Sequence, residues 1–90
     1  MGEDEILAAL DDRTALGLTL WAEARGEPVE GIIAVGCGIR TRARRSGQDV
    51  KDVCFAARQF SCWNRDGSAN HQRLIALAEA ILDPARTRTT

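Results

Sequence analysis

The sequence predicts a mainly helical, single small domain with one short extended or hairpin segment at about residues 58–64. The chain has 90 residues and 44% hydrophobic side chains, enough for one modest core and too few for a second domain. Over most of its length apolar residues recur at helical spacing. The exception is Gln59-Phe60-Ser61-Cys62-Trp63-Asn64, where apolar and polar residues alternate in the manner of a strand.

Two helices are expected before residue 27. The first covers about residues 4–12, where the acidic start suits the positive end of a helix dipole. The second has Thr14 as its expected N-cap and ends at Gly26. Because this second helix is apolar nearly all round, it should lie at the centre of the domain and hold the polar residues at its end in a fixed place.

A third helix is expected to begin at Pro28 and to end at Gly47, with an apolar first half and an arginine-rich second half. Each interior glycine costs a helix about 1 kcal/mol relative to alanine. The glycines at 31, 36 and 38 therefore indicate the close approach of a neighbouring helix, most simply the second one.

Two more helices complete the expected fold. A short one runs from residue 48 or 49 to about 57, and the last begins at an Asn70 cap and ends at Asp83-Pro84. The tail 85–90 has no apolar residue beyond Ala85 and is expected to be disordered.

The net charge of −1 hides an acidic first part and a basic second part. Residues 1–39 carry eight acidic and two basic side chains, whereas residues 40–90 carry ten basic and five acidic ones. The basic face of the third helix offers no aromatic residues for base stacking, so nucleic-acid binding is not expected.

No apolar run reaches the roughly 18 residues of a membrane span, and the acidic start is unlike a secretory signal. Synthesis in the cytoplasm and no membrane partner are expected.

The three cysteines match no Cys-x-x-Cys signature of a zinc or redox site. Cys37 and Cys54 lie among apolar residues and are expected to be small buried side chains. A Cys54–Cys62 or Cys37–Cys62 disulfide stays open if the protein acts outside the cell. A metal site that combines these cysteines with His71 is not expected.

The densest group of chemically useful side chains lies around Glu23, Arg25 and Glu27. Glu23 falls in the apolar helix beside Trp21, where burial would favour the protonated form that a general acid needs. Glu27 follows in the turn and should stay ionised. Arg25 can pair with either carboxylate, and an Arg–Glu pair without catalysis is the alternative interpretation.

Trp63 is the second feature with functional meaning, because it lies in a polar segment and is expected to be exposed. A flat aromatic face with neighbouring amides and hydroxyls suits a sugar ring. The alternative is that Phe60 and Trp63 close a small core.

Together these residues resemble the cell-wall hydrolases of the spore cortex-lytic SleB type, which also occur as phage lysins. The resemblance covers about residues 14–84. It rests on the run Trp-Ala-Glu-Ala-Arg-Gly-Glu-Pro at 21–28 and the segment Gln-Phe-Ser-Cys-Trp-Asn at 59–64. It implies a lysozyme-like fold that cleaves the glycan strands of peptidoglycan, usually as a lytic transglycosylase, without a metal or organic cofactor.

The resemblance also implies roles for individual residues. Glu23 would be the catalytic acid that protonates the glycosidic oxygen and then, as carboxylate, takes the proton of the muramyl 6-hydroxyl. The resemblance further implies that the protein acts at the cell wall after release, or as part of a virion. The glycan groove would be lined by Gln59, Ser61, Trp63 and Asn64, with Arg25 and Glu27 orienting Glu23 or holding the turn.

Two departures from the family pattern stand out. Thr41 occupies the position of a family asparagine, and after Asp83-Pro84 the chain lacks the Gly-Ala-x-x-Tyr/His segment that completes the cleft. Three interpretations of this departure stay open: the catalytic part acts alone, the domain binds glycan only weakly, or a partner chain completes the cleft. The alternative function is a non-catalytic glycan-binding or structural module of a phage particle or assembly.

Overall fold

The computed structural model describes residues 2–56, 61–63 and 69–83, and within these residues all regular structure is helical. The prediction of a mainly helical domain is confirmed. The elements, in chain order, are α1 (Glu3–Ala9), α2 (Asp12–Ala24), α3 (Val29–Ser46), α4 (Val50–Phe55), a 3-10 turn (Ser61–Trp63) and α5 (Ala69–Leu82).

Helix α2 lies at the centre, as its apolar character predicts. It packs against α3, α4, α5 and the 3-10 turn, while α1 packs against α5. Its buried residues include Ala15, Leu18 and Ala24, which are spread along the length of the helix. The C-terminal end of α2 is therefore fixed by the packing of the rest of the domain.

The core has two parts that meet at Phe55. One part joins α1, α2, the 3-10 turn and α5, and the other joins α3 and α4. The ring of Phe55 packs against both and meets the ring of Trp63 edge to face, with 4.7 Å between the ring centres. The first part consists of Ile6, Leu10, Leu18, Trp63, Leu74 and Ala78, and the second of Ile39, Ala43, Val53 and Cys54.

The expected extended geometry is wrong for the described part of segment 58–64. Residues 61–63 form a 3-10 turn that packs on α2 and α5. The alternating pattern misleads here because the side chain of Trp63 enters the core from a tight turn, and no strand is present in the described residues to pair with it. Residues 58–60 and 64 lie outside the part of the chain that the structure describes, as does the tail 85–90.

Two helix caps differ from the sequence prediction. The N-cap of α2 is Asp11, whose Oδ1 accepts a hydrogen bond from the N–H of Thr14 at 2.7 Å. Thr14, the expected cap, thus lies in the first turn of the helix. Helix α5 begins at Ala69, so Asn70 is inside its first turn. Helix α3 ends at Gly47, as predicted, and Gly47 has the left-handed conformation, with φ +71°.

Only one of the three glycines in α3 faces a neighbouring helix. A Cβ on Gly36 would lie 3.6 Å from a methyl group of Leu20 in α2. A Cβ on Gly31 would lie 3.1 Å from Cβ of Glu27, in the turn before α3. Around Gly38 there is open space.

Lys51 joins the start of α4 to the end of α1. Its ammonium group donates hydrogen bonds to the carbonyl oxygens of Ala8 and Leu10, at 3.0 and 3.2 Å. Its backbone N–H donates to Oδ1 of Asp12 at 3.0 Å. These carbonyls at the end of α1 lack helical partners, and a cation is well placed to bind them.

Across the described residues, every helix is too short or too polar to cross a membrane. The longest, α3, has 18 residues and carries four arginines.

The cap at Asp11 predicts a pH-dependent contribution to stability. The backbone hydrogen bond from Thr14 lowers the pKa of Asp11, so the contribution is present above the carboxyl's ordinary pKa and is lost as the pH falls. We expect Asp11→Ala to lower the melting temperature by a few degrees at neutral pH and by less in acid. Asp11→Asn keeps the acceptor oxygen and serves as the control. If Asp11→Ala lowered the melting temperature by the same amount at pH 7 and below pH 3, this result would contradict the role of Asp11 as a charged cap.

Candidate active site

The 3-10 turn is fixed to the middle of α2 by one buried hydrogen bond. The indole Nε1–H of Trp63 donates to Oγ1 of Thr19 at 2.8 Å. The hydroxyl of Thr19 in turn donates to the carbonyl oxygen of Ala15 at 2.8 Å. Thr19 is fully buried and Trp63 is 8% exposed. The turn therefore has one defined position relative to α2.

One turn of helix after Thr19, Glu23 meets the same 3-10 turn. The backbone N–H of Cys62 donates to Oε1 of Glu23 at 2.9 Å. This contact joins residues 39 positions apart in the sequence. It brings the segment that contains Glu23 next to the segment 61–63.

The Cys62 thiol is also hydrogen-bonded to the Glu23 side chain. Burial, followed by this hydrogen bond, raises the pKa of the Cys62 thiol to about 12. The thiol consequently stays protonated at neutral pH and acts as a donor toward the carboxyl group rather than as a nucleophile.

His71 supports the turn from the other side. Its ring is 4% exposed, and Nδ1 lies 3.1 Å from the carbonyl oxygen of Cys62, to which it donates as an N–H. Its Nε2 lies 3.3 Å from Oε2 of Glu3. Both backbone polar groups of Cys62 are thus engaged, one by Glu23 on α2 and the other by His71 on α5.

Glu23 itself is exposed, and the expected burial of its side chain is wrong. The reason is its position near the C-terminal end of α2, on the side that faces solvent next to the 3-10 turn. The neighbouring apolar residues Trp21 and Ala22 are half-buried and turn toward the core. Glu23 is therefore accessible to a ligand from solution.

Arg25 and Glu27 lie close to Glu23 in the chain and are both exposed. The guanidinium of Arg25 lies over the ring of Trp21, 4.7 Å from its centre. Glu27 lies over Gly31 at the start of α3, and its N–H donates to the carbonyl oxygen of Ala24 at 2.9 Å. These contacts hold the turn between α2 and α3.

Trp63 does not offer the exposed face that the sequence predicts. Its ring packs in the core against Phe55, and its indole N–H is taken by Thr19. The alternative in which Trp63 closes a small core is the one observed. Its contribution to the site is to position Cys62. Gln59, Asn64 and the side chain of Ser61 lie outside the described residues.

Thr19 and His71 support the candidate site, although neither was predicted from the sequence as part of it. The signal for Thr19 is a hydroxyl side chain within an apolar helix, one turn before Glu23. A hydroxyl group buried in this way needs a hydrogen-bond partner in the core. His71 was visible only as the single histidine of the chain, at the start of a helix. No pattern of spacing links it to Cys62.

The cysteines are all free, and their environments differ. Cys54 is buried as expected, but Cys37 is exposed because it lies on the side of α3 away from the buried residues Gly36, Ile39 and Ala43. Among the described residues, no group of three or more His, Cys, Asp or Glu side chains could hold a metal ion.

The hydrogen bond between Thr19 and Trp63 predicts a specific loss of stability. Thr19→Val keeps the side-chain shape but leaves the buried indole N–H without its acceptor, which should cost about 1–3 kcal/mol in the free energy of unfolding. Urea denaturation followed by tryptophan fluorescence measures this cost. Thr19→Ser keeps the hydroxyl and is the control. Equal stability of Thr19→Val and wild type would contradict the role of the bond.

Thiol reactivity provides a second prediction for the same region. With a pKa of about 12, the Cys62 thiol is almost fully protonated at pH 8, and burial also raises the pKa of the Cys54 thiol. We expect one rapidly reacting thiol in the folded protein with an aromatic disulfide reagent, and three in urea. Cys37→Ser should remove the rapid phase. A rapid phase that persists in Cys37→Ser would show that Cys62 or Cys54 is reactive in the folded protein.

Comparison with known proteins adds no relative: no protein-family model, curated protein or solved structure matches the chain.

Proposed function

We propose that the protein cleaves the glycan strands of peptidoglycan, as a lytic transglycosylase or muramidase, with Glu23 as general acid and base. The observation that supports this most is the 2.9 Å hydrogen bond from Cys62 to Glu23. It joins the two sequence segments, 21–28 and 59–64, on which the resemblance to cell-wall hydrolases depends. Two segments that form one site in a family are expected to lie together when the site is retained.

A single carboxyl group can perform the complete reaction. As the acid, Glu23 donates its proton to the glycosidic oxygen, and the bond to the anomeric carbon breaks as an oxocarbenium-like centre forms. The resulting carboxylate then removes the proton of the muramyl 6-hydroxyl while that oxygen bonds to the anomeric carbon. This step restores the acid and gives a 1,6-anhydro sugar. A water molecule in place of the hydroxyl gives the hydrolytic product.

The exposure of Glu23 is compatible with this role. A long polymer such as a glycan strand must reach the carboxyl group from solution, and an exposed side chain allows it. The Cys62 amide and thiol would keep the carboxyl group oriented throughout.

The neighbouring residues take supporting roles in this proposal. Arg25 and Trp21 form a half-exposed stacked pair close to Glu23 along the chain, which suits the polar and apolar faces of a sugar. Glu27 holds the turn. Trp63 acts by positioning Cys62 and not by stacking on the substrate, while Gln59, Ser61 and Asn64 are proposed to line the groove. A lysozyme-like arrangement of the helices, and action at the cell wall after release or within a virion, belong to the same proposal.

Loss of the carboxyl group tests the enzyme hypothesis. We expect purified peptidoglycan to lose turbidity with the wild-type protein, and Glu23→Gln to slow this by about 10²–10⁴-fold. Glu5→Gln, which changes an exposed glutamate on α1, is the matched control and should keep the wild-type rate. Mass spectrometry of the released fragments separates 1,6-anhydromuramyl ends from reducing ends.

Two outcomes would overturn the enzyme hypothesis. In the first, wild type and Glu23→Gln are equally inactive although circular dichroism shows both to be folded. In the second, both are equally active. If both are inactive, cosedimentation with insoluble peptidoglycan tests the alternative function, a non-catalytic glycan-binding or structural module.

A further inference from the structure

Helix α3 exposes large apolar side chains on the side that faces away from the core. Its buried residues Gly36, Ile39 and Ala43 face the rest of the domain. Away from these residues, Val29 is 67% exposed and Ile33 is 57% exposed. Cys37, one helical turn after Ile33, is exposed as well. Scattered exposed aliphatic residues are ordinary, but residues spaced by four on one helix form a continuous strip.

The outer side of α3 also has an unexplained glycine. A Cβ at Gly38 would meet nothing within 4 Å, so packing within the chain gives no reason for a residue that costs a helix about 1 kcal/mol. One turn earlier lies Ala34, which is exposed too. Small residues one turn apart leave the backbone accessible, and this allows a second helix to approach closely.

Two exposed side chains of opposite charge on this face, Glu30 and Arg44, can pair between two copies of the helix. Glu30 lies seven residues before Cys37, and Arg44 lies seven residues after it; both are exposed. Seven residues are about two turns, so the three side chains lie on one side of the helix. A two-fold axis at Cys37 would set Glu30 of each copy opposite Arg44 of the other. A parallel arrangement would instead align like charges.

We propose that two copies of the chain associate through α3, with the helices antiparallel and the two-fold axis near Cys37. Ile33 of each copy then lies between Cys37 and the alkyl stem of Arg44 of the other, and the open strip at Ala34 and Gly38 allows close contact. The antiparallel arrangement also places opposite helix-dipole ends together. The contact is small compared with a stable interface, so association is weak and depends on concentration and salt. This pairing does not depend on the proposed enzymatic function, since Glu23 is not part of it.

Charge reversal and its compensation test the pairing. Sedimentation equilibrium over a concentration series should show a monomer–dimer equilibrium for the wild type. In the symmetric dimer, Arg44→Glu or Glu30→Arg alone creates two repulsive pairs, and each should weaken dimerisation about fivefold or more. The double variant Glu30→Arg/Arg44→Glu should restore the wild-type constant to within about twofold.

A disulfide between the two copies of Cys37 reports on the register of the paired α3 helices. Under mild oxidation we expect a disulfide-linked dimer that forms in the wild type, falls in yield with Arg44→Glu, returns in the double charge reversal and is absent in Cys37→Ser. Circular dichroism checks that each variant is folded, and general destabilisation by either single change would not be reversed by adding the second. A monomer at all concentrations, a dimer that ignores both single reversals, or no recovery in the double variant would each overturn the proposal.

Discussion

The hydrogen bond between Trp63 and Thr19 is the interaction on which the rest of the structure depends. Thr19 is fully buried on the central helix, and its hydroxyl hydrogen is committed to the carbonyl oxygen of Ala15. A lone pair of the Thr19 oxygen is therefore directed at the indole N–H of Trp63, which fixes the direction of this hydrogen bond. The hydroxyl also contacts the thiol of Cys54, so one small polar group links the two parts of the core. In an interior of low dielectric, such a group stabilises one arrangement only if every partner is present.

The position of Glu23 follows from this constraint. Because Trp63 is held by Thr19, the adjacent Cys62 lies one helical turn further along α2, where its N–H meets the carboxyl group. His71 holds the carbonyl of the same residue, so the peptide groups on both sides of Cys62 are fixed from two helices. The candidate site is thus oriented by buried residues that need not touch a substrate, while the reactive carboxyl group remains open to solvent.

Much of the fold was accessible from the sequence, because helical periodicity is a local property. The five helices and the central place of α2 follow from the spacing of apolar residues, and Gly47 follows from its conformational freedom at a helix end. The rest depends on which way a residue faces. Cys37 has apolar neighbours in sequence, yet the 3.6-residue period turns it outward, and Trp63 has polar neighbours, yet a tight turn directs it inward. Only the family resemblance links the segment that contains Glu23 to the segment 59–64, since no local rule relates residues so far apart; the contact between Cys62 and Glu23 is seen in the structure alone.

Lys51 gives the chain an unusual chemical property. It is the only lysine, and its ammonium group binds the last carbonyls of α1 while its backbone amide binds Asp12. Surface attachment and fluorescent labelling commonly use acylation of lysine amines, which removes the positive charge. In this protein, acylation would neutralise the ammonium group of Lys51. The carbonyl oxygens at the end of α1 would then lose the charged group that joins them to α4. Cysteine coupling at Cys37, on the far side of α3, leaves that junction intact.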